Sequence, residues 1–171
     1  MQQVADFRTL QFSLLNVRNS GEYIGRGSYR KLYVIENTIR VMIHSVLSAQ
    51  LGTTQWWVLT VDQPTMDKIQ RVKNNYKLGP GPSLPGKHDI YYLFLPDLTE
   101  IINNNAHLIR PIIPDIDQWR INLDRIHFPR NIVGHMNWLH KIDENEIHKT
   151  YKNINSIIKY MRVSSISILI P

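Results

Sequence analysis

The stretch SYRKLYVIENTIRVMIHSVLSAQLG, residues 28–52, decides the fold class. Its apolar residues recur at three- and four-residue spacing, which is the period of an α-helix. Ser28 is a preferred N-cap residue, and Gly52 is a preferred stop. Because apolar residues also occupy the other faces, we expect this helix to be buried on several sides or shared with a second subunit.

Helical patterns on both sides of this stretch predict an all-α bundle. We expect an N-terminal helix and a glycine-rich turn over residues 1–27, a linker beginning at Trp56-Trp57, and a basic amphipathic helix over 65–77. Prolines and glycines predict an exposed loop over 78–88, followed by a helix over 97–108.

The second half of the chain predicts three more helices and a tail. A short helix begins at Asp115 and is interrupted at Phe128-Pro129. Pro129 then suits the first position of a new helix that carries Ile132, Met136 and Leu139. A last helix covers about 143–161, and residues 163–170 form a short strand or an irregular tail.

Length and composition indicate a single domain over residues 1–171 with its core at about 28–161. The absence of cysteine excludes disulfides and thiol catalysis, and we expect a reducing, cytoplasmic location. No apolar run of about 18 residues and no signal-peptide pattern at the N-terminus are present, so no membrane segment is expected.

The net charge of +6 favours anionic partners, RNA or DNA first.

The segment FPRNIVGH, residues 128–135, carries the strongest chemical signal. Arg130 is a permanent cation, and His135 is of the residue type that can act as acid or base. This pair suits metal-free phosphodiester cleavage, in which a base takes a proton from a ribose 2′-hydroxyl and a cation stabilises the charge on phosphorus. We expect Asn131 to share a helix face with His135, and the helix N-terminus to add partial positive charge beside the phosphate.

The remaining histidines and carboxylates lack metal-ligand spacing, so the sequence predicts no metal and no cofactor. His127 follows Arg120 at a similar spacing, but Arg120 is interpreted as part of a surface ion-pair ladder. His88 is predicted to lie on the surface. His140 either touches substrate or is simply exposed.

Polar residues on two of the predicted helices each have two possible interpretations. Lys68 and Arg71 lie on the basic helix, together with Lys73 and Lys77, and form either an RNA-binding strip or a solvated face. Glu36 and Arg40 are four residues apart on the long helix, so they either pair on its surface or face an active site.

These segments resemble the HEPN ribonucleases, which are helical bundles with an Arg, a polar residue and a His in an R-x(4–6)-H pattern. Arg130-Asn131 and His135 fit that pattern. Residues 32–40 are similar to the family's long second helix, which often offers a Glu towards the site. Residues 50–57, QLGTTQWW, resemble the Swt1-like branch of the superfamily.

The resemblance implies a metal-independent endoribonuclease that leaves 2′,3′-cyclic phosphate and 5′-hydroxyl ends on single-stranded or loop RNA. Arg130 would stabilise the transition state, His135 would act as acid or base or orient the phosphate, and Asn131 would position the substrate. Many members are toxins or antiviral effectors, some with an antitoxin partner. In toxins controlled by AMP transfer a Tyr follows the His by two residues, whereas this chain has Asn137.

We further expect a twofold homodimer in which two motifs face each other, because one Arg/His pair lacks a group that protonates the leaving oxygen. Glu36 would then orient the Arg130 guanidinium in a bidentate manner, with Arg40 nearby. The alternative is a non-catalytic HEPN module that dimerises or binds RNA or protein within a toxin–antitoxin or defence assembly.

Overall fold

The computed structural model describes residues 5–79, 81 and 83–171, and this part of the chain is an all-α bundle, as predicted. The expectations for residues 1–4, Pro80 and Pro82 lie outside the described residues. The helices are α1 (Leu14–Ile24), α2 (Arg30–Leu51), α3 (Trp56–Thr60), α4 (Gln63–Leu78), α5 (Leu95–Asn104), α6 (Ala106–Ile109), α7 (Ile116–Gly134), α8 (Lys141–Lys152) and α9 (Ile154–Val163).

The break predicted at Ser28 is absent. A π-helical turn, Gly25–Tyr29, joins α1 directly to α2, so the glycine-rich segment is helical rather than a corner. Gly25 has ordinary helical dihedral angles, φ −62° and ψ −50°. The predicted stop is confirmed: Gly52 adopts the left-handed conformation with φ 67°, and its N–H donates to the carbonyl of Ser48.

Helix α2 is the centre of the bundle and packs against α3, α5, α6, α8 and α9. Its core residues are completely or almost completely buried within one protomer, namely Leu32, Ile35, Ile39, Met42, Ile43, Val46 and Leu47. Of its apolar side chains larger than alanine, only Tyr33 is exposed. The chain therefore covers this helix itself, which favours the first of the two alternatives, burial on several sides.

Helix α7 runs without interruption through Pro129, where the sequence predicted a break. An internal proline costs a helix about 3 kcal/mol, because it removes one backbone hydrogen bond and crowds the preceding turn. Burial offsets this cost: the buried stripe of Trp119, Leu123 and Ile126 continues beyond the proline to Val133. Each fully buried apolar side chain contributes about 1.5–3 kcal/mol.

The predicted linker at Trp56-Trp57 is instead the buried start of α3. His88, predicted to lie on the surface, stacks on Trp56 with ring centroids 5.8 Å apart, and lies 4.8 Å from the ring of His44. The Trp56 indole N–H donates to Nδ1 of His44 at 2.9 Å. These rings form one packed cluster that includes the buried side chains of Trp56 and His44.

The chain after α9 is irregular, which settles the alternative left open for residues 163–170. Its end is held against α2 by Ser45, whose hydroxyl accepts from the Leu169 N–H at 2.9 Å and donates to the Leu169 carbonyl at 3.3 Å. Within the described ranges, no helix has both the length and the apolar character needed to cross a membrane.

Candidate functional site

One face of α7 borders an open groove of about 440 Å³. Because the helix is continuous, residues at positions 127, 130, 131, 134 and 135 recur at three- and four-residue spacing on that face. The opposite wall comes from α4 and the start of α5. The groove is lined by Lys68, Phe94, Pro96, Asp97, His127, Arg130, Asn131, Gly134 and His135.

Arg130 is held in place by Glu36 of α2. Its Nε lies 3.2 Å from Oε2 of Glu36, and its side chain is one-quarter exposed. The two residues are thus in contact within a single protomer, and the contact uses one nitrogen rather than the expected bidentate pair. Among the described residues the Nη groups of Arg130 make no hydrogen bond within the protein, so they are available to an anion in the groove that Arg130 lines.

Arg40 is buried and hydrogen-bonded within the protein, so its role is structural. Its guanidinium donates to Oε1 of Glu36 at 2.5 Å and to the backbone carbonyls of Ile90 and Leu93 at 3.3 and 3.0 Å. The residue is 7% exposed. Because these bonds occupy most of its donors, Arg40 ties α2 to the segment before α5 and does not line the groove.

His135 is the C-cap of α7, not a residue near the head of a helix. Met136 and Asn137 follow in a Schellman motif, in which their N–H groups donate to the carbonyls of Val133 and Ile132 at 2.9 and 3.0 Å. The expectation of helix N-terminal positive charge at this site is therefore wrong. The end of α7 brings partial negative charge, so binding of a phosphate depends on side-chain cations.

Asn131 contacts His127, a histidine that the sequence pattern did not place at the site. The Asn131 side-chain Nδ2 lies 3.2 Å from Nε2 of His127, one turn earlier on α7. This contact forms because α7 does not end at Pro129. An amide carries both a donor and an acceptor, so Asn131 can hold His127 in either protonation state.

The opposite wall of the groove presents an aromatic ring close to two cations. The guanidinium carbon of Arg130 and Nζ of Lys68 lie 5.5 and 5.8 Å from the ring centroid of Phe94. Phe94 is 47% exposed. Lys68 also pairs with Asp97 at 2.5 Å, and the other carboxylate oxygen of Asp97 accepts from the Phe94 N–H at 2.9 Å. The pair fixes the ring at the start of α5.

Two residues predicted to bind substrate lie outside the groove. Arg71 borders a separate hollow on the exposed side of α4 with Pro64, Asp67, Gln70 and Asn74. His140 is the N-cap of α8, and its Nδ1 accepts from the Ile142 N–H at 3.3 Å. The predicted basic strip is also divided, because Lys68 pairs with Asp97 and Lys73 pairs with Asp89.

The structure adds His127 and Phe94 to the predicted site residues. The spacing of four and eight residues from His127 to Asn131 and His135 was present in the sequence, but a break at Pro129 would have separated them. For Phe94 the only sequence signal is an aromatic residue just before the Leu-Pro-Asp start of a helix.

Comparison with protein-family models, with curated proteins and with solved structures found no match to this chain. Within the described residues, no group of three or more His, Asp or Glu side chains has a geometry that could hold a metal ion.

Proposed function

We propose that this protein is an endoribonuclease that cleaves RNA without a metal ion, and that the groove beside α7 is its active site. The observation that carries the proposal is the convergence of Arg130, Asn131, His135 and Lys68 on one open groove. A titratable imidazole and two cations supply what attack by a 2′-hydroxyl needs: a base and charge stabilisation at phosphorus.

The proposed roles follow from the positions of the side chains. His135 takes the proton from the 2′-hydroxyl, and the 2′-oxygen attacks phosphorus to give a 2′,3′-cyclic phosphate and a 5′-hydroxyl end. Arg130, held by Glu36 through Nε, stabilises the charge that builds on the phosphoryl oxygens. Lys68 lies across the groove, where it can contact a neighbouring phosphate.

Unpaired RNA is the proposed substrate. The 2′-hydroxyl must rotate into line with the leaving oxygen, and a regular duplex resists this motion. The half-exposed ring of Phe94, close to Arg130 and Lys68, offers a surface on which an unstacked base can lie. This arrangement favours loops and single strands over duplexes.

The test is cleavage of a 5′-labelled single-stranded RNA by purified protein in EDTA, with product ends assigned by mass spectrometry. We expect cyclic-phosphate products, and a rate reduced by about 10²–10³-fold in Arg130→Ala and His135→Ala. His107→Ala, at an exposed histidine outside the groove, is the matched control. RNA that binds but stays intact at every protein concentration would favour the non-catalytic module instead.

A twofold homodimer stays a prediction, since burial of α2 removes the argument from its apolar surface. Light scattering at micromolar concentration tests it directly.

A role as a toxin or defence effector also stays a prediction. Growth arrest on expression of the wild type, relieved by His135→Ala, is the expected outcome for such a role.

A further inference from the structure

We infer that His127 is the second proton-transfer residue of the groove, so that one protomer carries both the base and the acid for RNA cleavage. This inference rests on the proposed function. His127 lines the same groove as Arg130 and His135, and its ring is held by Asn131. Among the described residues, the other titratable or charged groups on the groove are Lys68 and Asp97, which are paired with each other.

Helical register places the two histidines on either side of the cation. His127 and His135 are eight residues apart, about 12 Å along the axis of α7. Arg130 and Asn131 lie between them on the same face. A phosphate bound at Arg130 would therefore have one imidazole towards each end, and both rings would have to turn towards it to reach the attacking and leaving oxygens.

The proton balance of the step is complete within the groove. Neutral His135 accepts the 2′-hydroxyl proton while the 2′-oxygen forms a bond to phosphorus. The bond from phosphorus to the 5′-oxygen breaks, and protonated His127 donates its proton to that oxygen. The Asn131 amide holds Nε2 of His127 in both charge states, which leaves Nδ1 to donate. Exchange of protons with water then restores both rings.

With His127 as the acid, a dimer would not be needed to complete the catalytic groups. A composite site was expected because a single Arg/His pair lacks a leaving-group acid. With His127 on the same helix face as His135, the acid is supplied by the same chain. Any twofold contact is then not required for proton transfer.

The decisive experiment compares a normal RNA with one whose scissile 5′-oxygen is replaced by sulfur, because a thiolate leaves without a general acid. We expect His127→Gln to cleave normal RNA about 10²-fold more slowly than wild type and to cleave the sulfur substrate at the wild-type rate. His135→Gln is expected to be slow on both. Gln is chosen because its side-chain oxygen can still accept from Asn131, so a loss of activity does not follow from a lost hydrogen bond.

The pH–rate profile gives a second readout that a structural role would not move. A general acid must be protonated, so the wild-type rate should fall at high pH, and this fall should be missing in His127→Gln. Equal slowing of both substrates by His127→Gln would overturn the assignment, as would full activity on normal RNA. Absence of cleavage by the wild-type protein would instead refute the proposed function.

Mixing the two inactive variants separates a site within one chain from a shared one. Combined His127→Gln and His135→Gln proteins should stay inactive, because neither chain holds both imidazoles. Recovery of about one-quarter of wild-type activity, the value for one restored site in half of the mixed dimers, would show that the two histidines act across a dimer interface and would overturn the inference.

Discussion

Nε of Arg130 on α7 and Oε2 of Glu36 on α2 lie 3.2 Å apart, although 94 positions separate the two residues along the chain. The other oxygen of the same carboxylate accepts from Arg40 at 2.5 Å. The largely buried carboxylate of Glu36 thus contacts two guanidinium groups. Arg40 links α2 to the segment before α5, and Arg130 lines the groove. Stability and the candidate chemistry are coupled through Glu36.

Glu36→Gln should lower both stability and activity. It leaves Arg40 and Arg130 without their anion, and breaking a buried ion pair from one side costs about 3 kcal/mol. Displacement of Arg130 should reduce kcat by up to about 10²-fold, with a smaller change in KM. Glu22→Gln is the control, since its pair with Arg26 is solvent-exposed and contributes less than about 1 kcal/mol. Equal unfolding midpoints for the two variants in urea would contradict this role.

Phe94→Leu should weaken RNA binding without changing the fold of the groove. Stacking of one base on an aromatic ring contributes about 1–3 kcal/mol, so affinity for a short single strand should fall about tenfold. Phe94→Trp should preserve it. Binding is measured by fluorescence anisotropy in the His135→Ala background, where cleavage is too slow to degrade the RNA during the measurement. Phe128→Leu changes an exposed phenylalanine outside the groove, and an equal loss there would argue against stacking on Phe94.

Much of the fold could be predicted from hydrophobic periodicity. The long helix, its stop at Gly52 and the all-α class follow from residue spacing alone. Its start could not, because Ser28 and the nearby glycines are good cap and turn residues in isolation, yet tertiary packing extends the helix through them. At Pro129, tertiary packing again overrides a local preference. Burial of Val133 outweighs the cost of the proline, so α7 continues and its face borders the groove.

The candidate site could be predicted where it depends on residue types and their spacing. It could not be predicted where it depends on how the helices continue and pack. Arg130 and His135 are recognisable by type and spacing. Their place at the end of a helix, and the inclusion of His127, depend on whether α7 continues through the proline. The separation of Arg71 from the groove depends on which side of α4 contacts the start of α5, as Lys68 does, and no local pattern encodes that contact.

Stability should fall when the pH is lowered below about 6.5, the ordinary pKa of histidine. Burial, together with the nearby His88, lowers the pKa of His44, and burial also lowers the pKa of His88, with Lys73 acting in the same direction and Asp89 opposing it. The unfolded chain therefore binds protons at a higher pH than the folded chain does. This stability is complete above the unfolded pKa and is lost as the pH falls below it.

Thermal unfolding at about pH 7.5 and pH 5.5 measures this effect. His44→Gln should reduce the difference in Tm between the two conditions, because its amide oxygen can still accept from the Trp56 indole but does not titrate. His107→Gln, at an exposed position, should behave as wild type. An unchanged pH dependence in His44→Gln would show that the buried histidine does not set it.

Met136→Gly should raise the free energy of unfolding by about 1 kcal/mol. Met136 has φ 58°, which is a left-handed conformation. A residue with a Cβ atom pays about 1–2 kcal/mol to adopt it, because the Cβ atom crowds the backbone, whereas glycine adopts it without that cost. Its side chain is 77% exposed, so its removal sacrifices little buried surface. Met136→Ala keeps the Cβ atom and should show no gain in urea denaturation. Equal stabilisation by both substitutions would place the effect in the exposed methionine side chain rather than in the backbone that follows His135.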